Sequence, residues 1–145
     1  MRTLLFFITI LTTVFLIGCG TGGGLATVKV TGTVTLDGEP VAGASVRFSP
    51  KTEGQGHPGS ARTDAKGFYQ LSTALGKDNA GTTPGDYLVA ISKVEVDPNA
   101  PPPKPGFSEQ TRSLIPVRYA QTSTSELTAT VENKPNVINF ELTTE

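Results

Sequence analysis

Tryptophan is missing from this chain of 145 residues, and cysteine, methionine and histidine each occur once. A single cysteine excludes an internal disulfide and any metal site built from several thiolates. The lone histidine, His57, sits in GQGHPGS with no cysteine near it, so the ligand spacing of a structural zinc site is absent. Charged residues are only 17% of the chain and nearly cancel, at a formal net charge of −1. Without a basic patch, nucleic acid is excluded as an expected partner. No apolar run reaches the roughly 20 residues that a bilayer-crossing helix needs. Beyond the first 18 residues, nothing repeats apolar side chains at helical spacing over three turns.

What the chain does have is glycine, proline, threonine and valine, a composition suited to short strands and tight turns. It also has MRTLLFFITILTTVFLIG, a short apolar stretch from Leu4 to Ile17 with Arg2 before it and Gly18 and Cys19 after it. That order, basic then apolar then a cut site, is the order of a secretory signal. Leu16, Ile17, Gly18 and Cys19 resemble the bacterial lipobox at all four positions. The resemblance implies cleavage before Cys19, a diacylglyceryl group on its sulfur and acylation of the freed amine. Several acyl chains at about 0.8 kcal/mol per buried methylene give lasting attachment to a membrane. Gly20 after the cysteine, by analogy with that family, implies sorting to an outer membrane where two membranes exist. Removing residues 1–18 takes away one basic residue and no acid, which leaves 127 residues at a net charge of −2. That length suits one domain.

Residues 19–27 form a glycine-rich tether, and a single β-domain is expected over residues 28–145. In VKVTGTVTL, Val28, Val30, Val34 and Leu36 alternate with polar residues, the pattern of a half-buried strand. Asp37 and Gly38 supply a turn, and SVRFS adds a strand with Val46 and Phe48 on one face. Residues 50–60 read as a loop, and TDAKG as a tight turn in which Asp64 bonds downstream backbone and Gly67 takes positive φ. In FYQLST, Phe68 and Tyr69 point to opposite faces, so one ring is expected outside the core. DYLVAISK has apolar residues on both sides and reads as a central strand. DPNAPPPKPG is an extended surface excursion whose prolines cannot donate to a ladder. ELTATV and VINFEL, separated by NKPN, read as a closing hairpin. These segments predict an all-β, single Greek-key sandwich of about seven strands behind a cleaved helical signal.

The run TGTVTLDGEPVAGASVRF, then TDAKGFYQL, then GDYLVAI, resembles the carboxypeptidase regulatory-like domain, a transthyretin-like sandwich. The matching positions are Gly32, Val34, Gly38, Pro40, Val41, Gly43, Ala44, Val46, Thr63, Asp64, Gly67, Tyr69, Gly85, Tyr87, Val89 and Ile91. IPVRYAQTSTSELTATVENKPNVINFEL is similar to the tail of small bacterial lipoproteins built on this domain. The resemblance implies a sandwich, and the family name is not expected to carry peptidase chemistry with it. Tyr87 is expected to act as a tyrosine corner, its hydroxyl bonding backbone across a Greek-key connection.

Candidate chemistry is sparse. A hydrolase centred on His57 would need a serine brought to it by the fold, and no nucleophile elbow is present. The hydroxyisourate-hydrolysing branch of transthyretin-like proteins implies a C-terminal Tyr-Arg-Gly-Ser, whereas this chain reads LTTE. Asp37, Glu39 and Asp64 could hold calcium only if their turns converge, and turn capping explains them more simply. A Lys29–Asn139 crosslink is disfavoured because both alternate away from their apolar neighbours. Tyr69, Phe107 and Tyr119 are candidates for stacking on a glycan. The expectation is a lipid-anchored envelope protein with a non-catalytic module for binding, adhesion or support. Cys19 is its lipid attachment site, with no catalytic residue, cofactor or metal. Its expected partners are membrane lipid and an envelope protein or glycan; the alternative reading is a small surface carbohydrate-binding protein.

Overall fold

A computed structural model describes residues 26–74 and 80–145. The expected signal helix, Cys19 and most of the tether lie outside the described residues. Strand β1 (Val30–Leu36) organises the first sheet, with Val30 and Val34 fully buried and the intervening threonines turned outward. At its end Asp37 and Gly38 both take positive φ, 50° and 86°. This is the two-residue hairpin geometry that Asp-Gly favours, and it returns the chain as β2 (Glu39–Pro40) against Thr35 and Leu36.

The chain then crosses to a second sheet. β3 (Ser45–Pro50) and β4 (Gly59–Arg62) pair antiparallel there, with Ser45 opposite Arg62 and Phe48 opposite Gly59. Part of β4 lies in the stretch expected to be loop, because Gly-Ser-Ala-Arg carries no apolar alternation. Close approach accounts for its glycine, since a Cβ on Gly59 would lie 2.7 Å from Leu71 Cδ2. In the TDAKG turn Asp64 Oδ1 accepts from the amides of Lys66 at 2.8 Å and Phe68 at 2.9 Å, and Gly67 has φ 72°. The turn behaves as its residues predict. It delivers β5 (Phe68–Gln70) to β1, and past buried Leu71 the same run becomes β6 (Ser72–Thr73) against β4.

β7 (Gly85–Ser92) lies beside β3, so the order β7-β3-β4-β6 sets the fourth strand next to the first. That is Greek-key order. Tyr87, Val89 and Ile91 are fully buried, and the Tyr87 hydroxyl donates to the Thr83 carbonyl at 2.8 Å, as a tyrosine corner should. β8 (Val94–Val96) and β9 (Thr111–Ser113) then form a separate two-stranded ribbon. The IPVRY segment contains a 3-10 turn, Val117–Ala120.

The expected closing hairpin does not form. β10 (Thr128–Val131) pairs with β7 in the second sheet, whereas β11 (Asn136–Val137) and β12 (Phe140–Leu142) pair parallel with β1 in the first. The reason lies at Asn136, whose side chain accepts from the Glu132 amide and donates to the Glu132 and Lys134 carbonyls. The Glu132 amide and carbonyl are groups a hairpin would have paired, and Pro135 has no N–H to offer.

Counting β5 with β6 and β11 with β12 as interrupted single runs, and setting aside the two-residue β2 and the ribbon strands β8 and β9, the principal strands of the sandwich among the described residues number seven. The protein is the all-β sandwich that the sequence predicts. At its centre the Phe48 ring meets those of Tyr87 at 5.7 Å, Phe140 at 6.0 Å and Tyr69 at 6.4 Å. Register also defines two ends. Val28 bridges Thr82 at the end where β1 and β7 begin. Ser45 faces both Arg62 and Ser92 at the other end, from which the ribbon departs.

Candidate docking surface

The ribbon is the part of the fold with the least cover. Val94 faces Ser113, Glu95 faces Arg112 and Val96 faces Thr111, and neither strand pairs with any other. Alternation puts Glu95 on one face, where Arg112 holds it in an ion pair through Nη2 and through Nε at 2.7 Å. Val94 and Val96 share the other face, 61% and 51% exposed. A bare two-stranded ribbon is marginal in water. This one is tied at its base, where the Leu114 amide donates to the Lys93 carbonyl at 2.8 Å and the buried Ile115 and Tyr119 re-enter the core.

Its tip, residues 97–110, is a defined loop. The Asp97 amide donates to the Gln110 carbonyl at 2.9 Å, closing the neck. Asp97 caps a first turn, accepting from Asn99 at Oδ1 and from Ala100 at its carbonyl. A second turn carries Pro105 and Gly106, with φ 87° at Gly106 and the Phe107 amide donating to the Lys104 carbonyl at 2.9 Å. Proline followed by positive-φ glycine is the requirement of a type II turn. Between the two turns lie Pro101, Pro102 and Pro103, all exposed. The proline run and Phe107 flank an open groove of about 350 Å³, completed by Lys104, Ser108 and Gln110.

Of the three aromatic residues read as glycan candidates, only Phe107 is exposed, at 73%. Tyr69 and Tyr119 are buried, which corrects that reading. Tyr69 fills the core and donates to the Ile138 carbonyl at 2.7 Å, and burial holds its hydroxyl well above the usual tyrosine range. Tyr119 lies under the Arg118 guanidinium, 4.7 Å from the ring centroid. Hydrogen bonds from the Thr143 hydroxyl and amide, with Arg118 beside them, lower its pKa. The ring left outside the core from the Phe68–Tyr69 pair is Phe68, 42% exposed.

His57 serves the fold through its backbone: its amide donates to Thr83 Oγ1 at 2.9 Å and its carbonyl accepts from Thr82 Oγ1 at 2.7 Å. Both threonines also bond the Tyr87 hydroxyl, so the loop is stitched to the tyrosine corner. The Asp37 carboxylate accepts from the Thr144 amide and hydroxyl, Asp64 is used within its own turn, and Glu39 is exposed. Among the described residues no group of three or more His, Cys, Asp or Glu converges on one point. Lys29 and Asn139 are not in the core, and Asn139 Oδ1 accepts from the Thr33 amide and hydroxyl. No helix among the described residues is long and apolar enough to cross a membrane.

No protein-family profile and no curated protein sequence matches the chain. Among solved structures, a DUF3823 family protein from Parabacteroides merdae is similar over 79% of this chain at 15% identity, with a TM-score of 0.38. The chain spans 44% of that protein's length.

Proposed function

We propose that this protein is a lipid-anchored, non-enzymatic module of the bacterial cell envelope that holds its β-sandwich and ribbon away from the membrane for binding or structural support. The observation that carries the reading is the LIGC sequence ending at Cys19, followed by a glycine-rich run that meets the sandwich at Val28. That is the end opposite the ribbon. A glycine-rich tether of this length spans about 15 Å on average, enough to let the domain stand off the lipid. The resemblance to carboxypeptidase regulatory-like domains supports the same reading, because its repeated residues act here as turn, core and corner residues. Gly20 supports the outer membrane as the destination.

A glycan partner, the second reading, would have to stack on Phe107 or Phe68, the exposed aromatic rings among the described residues. Fractionation tests the anchor. Native protein is expected to pellet with membranes and resist salt washing, and Cys19→Ala to appear in the soluble fraction or as uncleaved precursor. A Cys19→Ala protein that is cleaved, pellets and resists washing as the native one does would overturn the reading.

A further inference from the structure

The ribbon tip combines three features that a passive spacer does not need. Pro101, Pro102 and Pro103 form a rigid exposed rod fixed at each end by a hydrogen-bonded turn. Proline fixes φ near the polyproline II value, so three in a row make about one turn of that helix with little conformational entropy left to lose. Lys104 follows the rod and makes no ion pair among the described residues. Phe107, 73% exposed, stands across the groove from the prolines instead of covering apolar surface of its own domain.

Polyproline II segments dock into grooves lined by aromatic rings, because flat rings fit between successive proline rings and the ligand is already ordered. We propose that Pro101, Pro102, Pro103, Lys104 and Phe107 form a polyproline II ligand for a partner protein's groove, one that presents aromatic rings to the prolines and a carboxylate to Lys104. One partner ring enters the space between the proline run and Phe107. The carboxylate follows from charge: Lys104 is the one charged side chain lining this groove, whose other walls are prolines, Phe107 and neutral polar residues, while the acids Asp97 and Glu109 line the other side of the proline run. Attachment through Cys19 is not required for this contact, so the two readings stand or fall separately.

The test uses the full chain in the cells that make it, with the photoreactive residue p-benzoylphenylalanine in place of Phe107. Irradiation is expected to join the tip to a protein, at a peptide carrying aromatic and acidic side chains. Excess synthetic peptide of sequence APPPKPGFS should suppress the product by about tenfold or more, as should replacing Pro101, Pro102 and Pro103 together by alanine. Lys104→Glu should also lower the yield. Because the tip lies outside the core, thermal unfolding of each variant should match the parent, which separates lost docking from lost folding. The proposal is overturned by no light-dependent product, by a product with a second copy, a lipid or a glycan, by a joined peptide without aromatic residues, or by a yield that neither the peptide nor the proline replacements change.

Discussion

The Tyr69 hydroxyl donates to the Ile138 carbonyl at 2.7 Å, and that carbonyl lies directly over Gly32. Between β11 and β12 the ladder to β1 is interrupted, yet register is kept, with Thr31 opposite Val137 and Val34 opposite Phe140. The interruption is satisfied from both faces. Tyr69 takes the inward carbonyl, while on the outer face Asn139 Oδ1 accepts from the Thr33 amide at 3.0 Å. This junction ties the C-terminal run to β1 and β5.

Gly32 is the position with least tolerance there. A Cβ would sit 1.7 Å from the Ile138 oxygen, a backbone atom that cannot simply rotate away. Gly32→Ala is expected to cost more than about 4 kcal/mol and to leave little folded protein by circular dichroism. Gly54 is the control: its φ is 77°, but nothing lies within 4 Å of the point a Cβ would occupy. Gly54→Ala should cost only about 1–2 kcal/mol, the left-handed backbone penalty.

Alkaline stability follows from the same tyrosine. Burial raises the folded-state pKa of Tyr69, whereas the unfolded chain ionises near about 10. Its contribution is therefore complete below pH about 10 and is lost as pH rises beyond it, at about 1.4 kcal/mol per pH unit. Urea titrations at increasing pH should show that loss, and Tyr69→Phe should flatten it. The variant should also be less stable at neutral pH by about 1–3 kcal/mol, since the Ile138 carbonyl loses its partner.

Aromatic rings meet at the centre of the core. Phe48 is fully buried among the rings of Tyr69, Tyr87 and Phe140. Phe48→Ala should cost about 3–5 kcal/mol in urea unfolding, while Val137→Ala, on a side chain 76% exposed, should stay within about 0.5 kcal/mol.

The ribbon should respond locally. Arg112 and Glu95 are both substantially exposed, so their ion pair contributes about 0–1 kcal/mol. Arg112→Ala is expected to leave the unfolding midpoint unchanged but to speed amide hydrogen exchange at Val96 and Thr111. Exchange accelerated equally in β1 would contradict an independent ribbon.

Local chemistry is legible in the sequence, and long-range pairing is not. The alternation around Val30 and Val34, the Asp37-Gly38 hairpin, the Asp64 turn and the Tyr87 corner each depend on residues within a few positions of one another. The Phe68–Tyr69 choice is not decidable locally, because adjacent strand residues face opposite sides and either ring could fill a core. Burial of Tyr69 depends on Ile138, 69 residues away. The absent hairpin has the same cause: β11 and β12 pair with β1, at the far end of the described chain, and not with the nearby β10. The ribbon is hidden because VEV and TRS are too short to show a period, although an exposed proline triplet between two turns is visible as a surface excursion. Tyr119 reads as a surface candidate in the sequence because Thr143, whose amide and hydroxyl meet its hydroxyl, lies 24 residues away, just past β12.

The most direct measurement is intact-mass and fragment analysis of the protein isolated from its own cells. The account predicts a chain beginning at Cys19, with a diacylglyceryl group on sulfur and an acylated amine. A mature chain with a free, unmodified thiol at Cys19, or one cut at another position, would contradict it.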